Sequence, residues 1–216
     1  MSNWKEELAP MVSRITGCET LNYSHCDWGR ERVPECMSAI LEEASAVQKA
    51  VSFYLDPLDE EHLQDQDEPD LQSGERMAIG CLAMIRNELP AGYVAFMGTT
   101  SWLGEDRKSG IELVIGPGSC QFDILRHART DACNYELQTE DIIRKLQDYD
   151  EQFGIDIFHA ESDLVEFDLK TEPPDPETLA EDLYEFCPDL IDQGVGDLND
   201  LAEELIHTRR ISLWWD

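Results

Sequence analysis

The sequence predicts an α+β fold, in which a mixed or antiparallel sheet is covered by helices. Two observations lead to this prediction. Short runs of alternating apolar residues lie between Gly-rich turns, as is typical of strands; examples are GYVAFMGTT, IELVIGPG and LVEFDL. Around these runs lie longer segments whose apolar residues recur every three or four positions, which is typical of helices that pack on a sheet.

The N-terminal region is expected to be largely helical and to end in an acidic linker. Residues 3–16 carry apolar side chains at helical spacing, and a second amphipathic segment continues up to Val51. Residues 56–74 contain eight acidic residues and two prolines, which indicates a loop and the main internal boundary. We therefore predict a helical region at 1–75 and an α+β domain at 76–216.

The α+β domain is expected to begin with a helix in ERMAIGCLAMIRNELP. Met77, Cys81, Met84 and Ile85 share one face of this pattern, and Leu89 with Pro90 ends it. Strand-like runs separated by Gly-rich turns follow, in GYVAFMGTT, IELVIGPG and QFDILRHA.

The C-terminal half has the predicted order of a ferredoxin-like split βαβ fold with one extra helix. QFDILRHA supplies the first strand and residues 139–153 the first helix, before the strands IDIFHA and LVEFDL. Helices are expected after Pro176 and Asp197, and ISLWW forms the last strand. Both faces of this strand are apolar, so we expect the N-terminal half to pack on the second face of the sheet. Trp214 and Trp215 are then structural.

Net charge is the strongest signal in the composition. The chain has 47 acidic and 16 basic residues, a formal charge of −31, and residues 109–216 hold 27 of the acids and 7 of the bases. Such a surface repels nucleic-acid phosphates and anionic membranes, and it accelerates encounter with a basic protein. Solubility or adaptation to high salt also explains an acidic composition, although the seven cysteines argue mildly against a high-salt origin.

The chain lacks the sequence features of exported and membrane-bound proteins. No apolar run approaches the roughly 18 residues that cross a bilayer. Glu6 and Glu7 lie where a signal peptide is apolar. The cysteines follow neither a CxxC nor a disulfide-like spacing, which is typical of reduced thiols. We expect a cytoplasmic protein.

Several unusual motifs lie in the C-terminal half. They are QFDILR at 121–126, ACNYELQTEDII at 132–143, the strand that follows Asp163, YEFCPDLIDQG at 184–194 and LWWD at 213–216. Their order and spacing resemble the bacterial family known as domain of unknown function 4253, over about residues 109–216. The resemblance implies a soluble bacterial α+β domain and brings no established activity, cofactor or catalytic residue.

Standard catalytic and metal-binding motifs are missing from the sequence. GxSxG, HExxH and the Walker glycine loop do not occur. Two segments begin like calcium loops, but Arg76 replaces the closing glutamate of the first and Ile191 occupies a ligand position of the second. A possible zinc set fits no standard ligand spacing: Cys18, His25, Cys26 and Cys36. We therefore predict no metal and no cofactor.

Two single residues are better explained by packing than by catalysis. Cys187 lies at the end of a predicted helix, where the helix dipole opposes a thiolate, and a free cysteine is often a small core residue. His159 alternates with Ile155 and Ile157 along a predicted strand, which places the imidazole on a buried face.

Polar residues at the ends of predicted elements form the best candidate binding site. Arg126 and Arg129 are an island of positive charge in an acidic surrounding. The other members are Asn134, Tyr135, Asp189, Gln193 and Asp216. We hypothesise that these groups line a cleft for a small anion or a peptide. The alternative is that the two arginines form structural ion pairs with Asp123, Asp189 or the terminal carboxylate.

These observations predict a non-enzymatic acidic protein that binds a basic protein. Its specific form is an immunity or inhibitor protein that neutralises a toxin acting on nucleic acid. One alternative is an enzyme of unrecognised type that binds a small anionic substrate near Arg126 and Arg129, with Asp189 or Asp123 as acid–base. Another is a structural or regulatory module of a larger assembly. Direct binding to nucleic acid or membrane is not expected, and the sequence leaves the oligomeric state open.

Overall fold

A computed structural model describes residues 4–16, 51–55, 71–98 and 111–216. The chain divides into two compact units, Met1–Cys120 and Gln121–Asp216, and the predicted α+β class is confirmed. The predicted boundary within residues 56–74 and the predicted packing of the N-terminal half on the C-terminal sheet stay predictions. The amphipathic segment before Val51 lies outside the described residues. Within the described ranges, no helix is long and apolar enough to cross a bilayer.

Three antiparallel strands of the N-terminal unit pair in the order β1–β3–β2. They are β1 (Val51–Leu55), β2 (Tyr93–Met97) and β3 (Ile111–Pro117). The strands predicted in GYVAFMGTT and IELVIGPG are thereby confirmed. Val51, predicted as the last apolar position of a helix, instead begins β1 opposite Ile115. The prediction was wrong because VSFYL is rich in residue types that favour strands over helices.

Two helices of the same unit confirm the helices predicted for residues 3–16 and for ERMAIGCLAMIRNELP, but the second begins at Leu71, within the predicted acidic linker 56–74. They are α1 (Trp4–Thr16) and α2 (Leu71–Glu88). Helix α2 packs on β2 and β3 and buries Leu82 and Ile85, whereas Met84, predicted on the same face as Ile85, is 50% exposed. Arg86 of α2 also donates from Nε to the Ala95 carbonyl oxygen of β2, at 2.8 Å. Apolar burial and this hydrogen bond together hold the helix on the sheet.

The strands of the C-terminal unit form an antiparallel arrangement with β5 in the centre. They are β4 (Ile155–Ala160), β5 (Leu164–Leu169) and β6 (Arg210–Trp214). Along β5, every second residue is buried and the residues between are partly exposed, as expected for a strand with one face on the core. Phe167 of β5 stacks on Tyr149, with ring centroids 6.2 Å apart.

Four helices surround these strands in the described part of the C-terminal unit. They are α3 (Asp123–Ala128), α4 (Thr139–Phe153), α5 (Pro176–Phe186) and α6 (Leu198–Thr208). The helices expected after Pro176 and Asp197 are confirmed, and the Asp175 and Asp197 side chains cap them by accepting hydrogen bonds from first-turn backbone N–H groups. Gly154 ends α4 with a φ of 66°, a value that L side chains rarely adopt.

The strand predicted in QFDILRHA is wrong, because residues 123–128 form helix α3. This segment bears Phe122 and Ile124 in alternation, but the buried set Ile124, Leu125 and Ala128 follows helical spacing. Arg129 then ends the helix in the left-handed region. The first strand of the split βαβ order is therefore missing from the C-terminal unit, and β5 and β6 are direct antiparallel neighbours.

The tryptophan-bearing terminus is part of the packed structure, as predicted. The Trp215 side chain is buried and meets the Phe186 ring edge-to-face, with centroids 5.6 Å apart. Its backbone N–H donates to the Asp163 carbonyl oxygen at 3.0 Å, which extends the pairing of β5 and β6 past the end of the strand. These contacts fix the last residues of the chain between α5 and the β4–β5 turn.

Candidate functional site

Four of the predicted site residues meet around the carboxylate of Asp189. The Tyr135 hydroxyl donates to Asp189 Oδ2 at 2.8 Å, and the Gln193 amide donates to Asp189 Oδ1 at 2.9 Å. The backbone N–H of Asp216 donates to Asp189 Oδ2 at 3.1 Å. We refer to Tyr135, Asp189, Gln193 and Asp216 as the Asp189 cluster. The structure thus brings together residues that lie up to 81 positions apart in the sequence.

Three irregular segments place these side chains. Tyr135 ends a single 3₁₀ turn, Cys133–Tyr135, which the left-handed Glu136 closes. Asp189 precedes a π-helical turn, Leu190–Gly194, that aims the Gln193 amide back at it. Asp216 lies two positions beyond Trp214, the last residue of β6. Each segment belongs to one of the motifs noted in the sequence. The Asp189 carboxylate therefore connects these motifs through hydrogen bonds.

Asp189 is ionised in this setting. Burial raises the pKa of its carboxyl group, but hydrogen bonds from Tyr135, Gln193 and the Asp216 backbone outweigh burial and lower the pKa overall. The same contact raises the pKa of Tyr135 to about 12, because the phenol donates to a carboxylate. Both oxygens of Asp189 are used by these donors, and the residue is only 6% exposed. The Asp189 cluster therefore acts as a structural lock rather than as an acid–base pair.

Arg126 is held by carboxylates outside this cluster. Its Nε and Nη2 donate to the two oxygens of Glu140 at 2.7 and 3.0 Å, and its Nη1 donates to Asp123 at 2.8 Å. The hydrogen bond with Glu140 lowers the pKa of that carboxyl group. The predicted ion pair with Asp123 is confirmed, whereas the predicted partners Asp189 and Asp216 are replaced by Glu140. The guanidinium thus links α3 to the first turn of α4.

Arg129 and Asn134 lie apart from these contacts. Arg129 caps α3 with a φ of 60°, and its backbone N–H donates to the Leu125 carbonyl oxygen. Asn134 is exposed in the same 3₁₀ turn as Tyr135. Within residues 111–216, no hydrogen bond connects either of them, or Arg126, to Asp189. The anion-binding cleft proposed from the sequence stays a prediction without a supporting contact.

A buried histidine between two carboxylates is the polar site that sequence reasoning missed. His159 Nδ1 lies 2.6 Å from Glu166 Oε2, and its Nε2 lies 3.1 Å from Glu161 Oε1. Only 5% of the His159 side chain is exposed. Burial lowers the pKa of His159, but the two carboxylates raise it more, to about 9. The imidazole is therefore a cation at neutral pH, and it is packed, as predicted.

A β-bulge explains why the pairing of His159 was missed. Ile157 lies opposite Phe167, but the register then shifts, so that His159 rather than Phe158 lies opposite Glu166. A regular hairpin would pair Phe158 with Glu166. Glu161 lies two positions after His159, just past the end of β4, and this spacing was the signal available in the sequence. The β-bulge that places Glu166 opposite His159 leaves no clear pattern in the sequence.

The free energy of unfolding is expected to fall by about 2–3 kcal/mol between pH 6.5 and pH 9 because of His159. Its folded pKa lies above the unfolded value, so its contribution is fully present below pH 6.5 and is lost as the pH rises through about 9. Denaturant unfolding at several pH values measures this slope. The variant His159→Gln should lack it, and an unchanged slope in that variant would contradict the assignment.

Cys187 is a core residue, as predicted. Its thiol is fully buried and donates to the Trp214 carbonyl oxygen, with Sγ 3.0 Å from the oxygen. Burial raises the pKa of the Cys187 thiol to about 11, so the thiol stays protonated near neutral pH. The residue therefore helps to hold β6 at the end of α5 and is not poised as a nucleophile.

A cleft of about 450 Å³ lies between the second half of α4 and the start of α5. Lys145 and Asp182 face each other across the two helices at 2.6 Å, and Tyr149 donates to the other oxygen of Asp182 at 2.8 Å. We refer to this space as the α4–α5 cleft. Sequence reasoning did not find it, because its residues carry no motif and lie on two helices.

Metal ligands do not cluster in the part of the chain that the structure describes. No group of three or more His, Cys, Asp or Glu residues in the described ranges could hold a metal ion. The zinc set considered from Cys18 to Cys36, and residues 65–70 of the first calcium-like segment, lie outside those ranges.

Comparison with known proteins yields one match. No curated protein and no solved structure is similar to the chain. The family described as Domain of unknown function (DUF4253) matches residues 112–216, which contain the Asp189 cluster, the His159 site and the α4–α5 cleft. The resemblance noted in the sequence is thereby confirmed, because the model of the DUF4253 family matches the C-terminal part of the chain.

Proposed function

We propose that the C-terminal unit is a non-enzymatic binding domain for basic proteins, of the immunity or inhibitor type. The observation that carries this proposal is its uncompensated negative surface. Residues 121–216 contain 26 acidic and 7 basic residues, and most of the acids on α5 and α6 are exposed. A surface of this kind attracts cationic proteins over a distance and raises the rate of association.

Four of the seven basic side chains of the unit are paired with carboxylates of the same unit. Arg126, Arg144, Lys145 and Arg210 each form an ion pair with a neighbouring carboxylate. The charges of these four side chains are therefore matched within the unit, and its three other basic residues are Arg129, Lys170 and Arg209. The alternative of an enzyme acting on an anionic substrate gains no support from the position of Arg126.

Polar groups of the kind that serve catalysis are engaged in structural contacts. Asp189 accepts three hydrogen bonds, His159 is held between two glutamates, and the Cys187 thiol is buried. Most carboxylates of α5 and α6, in contrast, are exposed. Enzymes that act on nucleic acid present basic surfaces to the phosphates, so an acidic protein is suited to cover them.

The association rate with a captured basic partner is expected to fall at least about tenfold when the salt concentration rises from about 0.01 to about 0.1 M. The immobilised full chain is exposed to a bacterial extract at low salt, and retained proteins are identified. Stopped-flow mixing with the purified partner then gives association and dissociation rates. Dissociation should change much less, because salt screens mainly the approach of the two charged surfaces.

The specific form of the proposal is tested with the same partner. If the partner cleaves RNA or DNA, a stoichiometric amount of the chain should stop cleavage. Failure to retain any basic protein at low salt, or an association rate that does not depend on salt, would contradict the proposal. A retained partner whose nuclease activity is unaffected would leave a binding protein that is not an inhibitor.

A further inference from the structure

The α4–α5 cleft combines an apolar floor with a carboxylate rim. Phe153 and Pro174 contribute accessible apolar surface, and the buried Leu179 lies beside them. Asp148 and Glu151 stand on the rim, one helical turn apart on α4. A long cationic side chain buries its aliphatic stem on such a floor and keeps its charged end at such a rim.

A cation of the chain itself already occupies one end of the cleft. Lys145 Nζ donates to Asp182 and lies 5.2 Å from the ring centroid of Tyr149 and 5.8 Å from that of Phe186. These contacts combine an ion pair with two cation–π interactions. The Lys145 ammonium thus demonstrates which chemistry the cleft accepts, independently of the overall charge of the surface.

Two carboxylates of the rim remain available for a second cation. Asp148 and Glu151 are exposed, and neither forms a hydrogen bond or an ion pair with a described residue. Asp175, in contrast, is used as the cap of α5, and Asp182 is shared by Lys145 and Tyr149. An incoming cation therefore meets its open acceptors on the α4 side of the cleft.

We propose that the α4–α5 cleft seats an arginine side chain of the basic partner protein, a step that rests on the proposed function. The planar guanidinium donates to two carboxylates at once, and its face stacks on an aromatic ring such as Phe153. A lysine ammonium is a point charge and uses these two features less well. The cleft volume leaves room for the neighbouring residues of a partner segment.

The test compares two double variants of the full chain that carry the same change in charge. Asp148→Lys with Glu151→Lys alters the rim, whereas Glu203→Lys with Glu204→Lys alters exposed positions of α6 that do not line the cleft. The probe is fluorescently labelled hexa-arginine, and binding is followed by anisotropy. The rim variant should weaken binding about tenfold or more, and the α6 variant less than about threefold.

Replacement of the resident cation supplies an independent test. Lys145→Met frees Asp182 and should strengthen hexa-arginine binding, while Arg144→Met removes the same charge from the adjacent, more exposed position and should change it less. Hexa-lysine should bind the unchanged chain several-fold more weakly than hexa-arginine. Circular dichroism and thermal unfolding confirm that each variant is folded.

The outcomes separate this inference from the broader proposal. Equal losses in the rim and α6 variants would overturn the cleft as the arginine site but leave general binding of basic proteins intact. Equal affinities for hexa-lysine and hexa-arginine would overturn the choice of arginine. No binding of either peptide by the folded chain at low salt would overturn both the inference and the proposed function.

Discussion

Replacement of Trp215 by alanine is expected to lower the free energy of unfolding by about 3–5 kcal/mol. The side chain is 3% exposed and packs edge-to-face on Phe186. Its indole N–H also donates to the Phe186 carbonyl oxygen at 3.4 Å. Truncation removes a large buried apolar area and leaves a cavity between α5 and the end of β6, and that carbonyl loses its indole donor.

Trp214 is the matched control for this substitution. It is the neighbouring residue of the same type, but its side chain is only partly buried. Trp214→Ala should therefore cost clearly less, at most about 2 kcal/mol, because less apolar area is lost from the core. Denaturant unfolding followed by far-UV circular dichroism measures both values. Equal costs for the two variants would show that the terminus is not packed as described.

Replacement of Asp189 by alanine is expected to lower the free energy of unfolding by about 2–4 kcal/mol. The change leaves the Tyr135 hydroxyl, the Gln193 amide and the Asp216 N–H without their common acceptor. The loss of three hydrogen bonds to the buried, charged Asp189 carboxylate carries most of this cost. Asp189 also joins three segments that are far apart in the sequence, so the loss affects their docking together.

Asp189→Asn provides the conservative comparison. The amide oxygen of asparagine can accept from Tyr135 and the Asp216 N–H, and the Gln193 side chain can rotate to accept from its NH₂ group. We expect a smaller cost of about 1–2 kcal/mol, due mainly to the lost charge. If Asp189→Ala left stability unchanged but abolished binding of the basic partner, Asp189 would be a binding residue and the structural interpretation would be wrong.

Most helices and strands were predicted from the sequence because their periodic patterns are long or are bounded by Gly and Pro residues. Examples are the helix of residues 139–153, the helix after Pro176 and the helix that begins near Asp197. The strand predicted for residues 123–128 was wrong because a short apolar run fits both the helical and the strand period, and tertiary packing favours the helix. This one element removed the split βαβ order from the predicted topology.

The candidate site was predicted in part, for a reason that the structure makes clear. Tyr135, Asp189, Gln193 and Asp216 lie in irregular segments, and polar residues there are used to hold loops and ends together. Arg126 did not join them, because its guanidinium is paired with Glu140 in the first turn of α4. The Lys145–Asp182 pair was not predictable, since no local pattern links residues on two packed helices.

The unusual motifs of the C-terminal half therefore contribute residues to structural contacts. ACNYELQTEDII, FCPDLIDQG and LWWD converge on Asp189, Cys187 and Trp215. The proposed function assigns the contact with a partner to the exposed carboxylates. Binding specificity would then come from the α4–α5 cleft, within a general electrostatic attraction.

Carboxylate footprinting of the full chain with its captured basic partner tests this division of roles most directly. A carbodiimide couples a small amine to accessible carboxylates, and mass spectrometry of the peptides reports the reactivity of each residue. We predict that the partner protects Asp148 and Glu151, while Glu203 and Glu204 keep their reactivity. Full reactivity of Asp148 and Glu151 in the complex, or uniform protection of all four, would contradict the assignment of the cleft as the binding site.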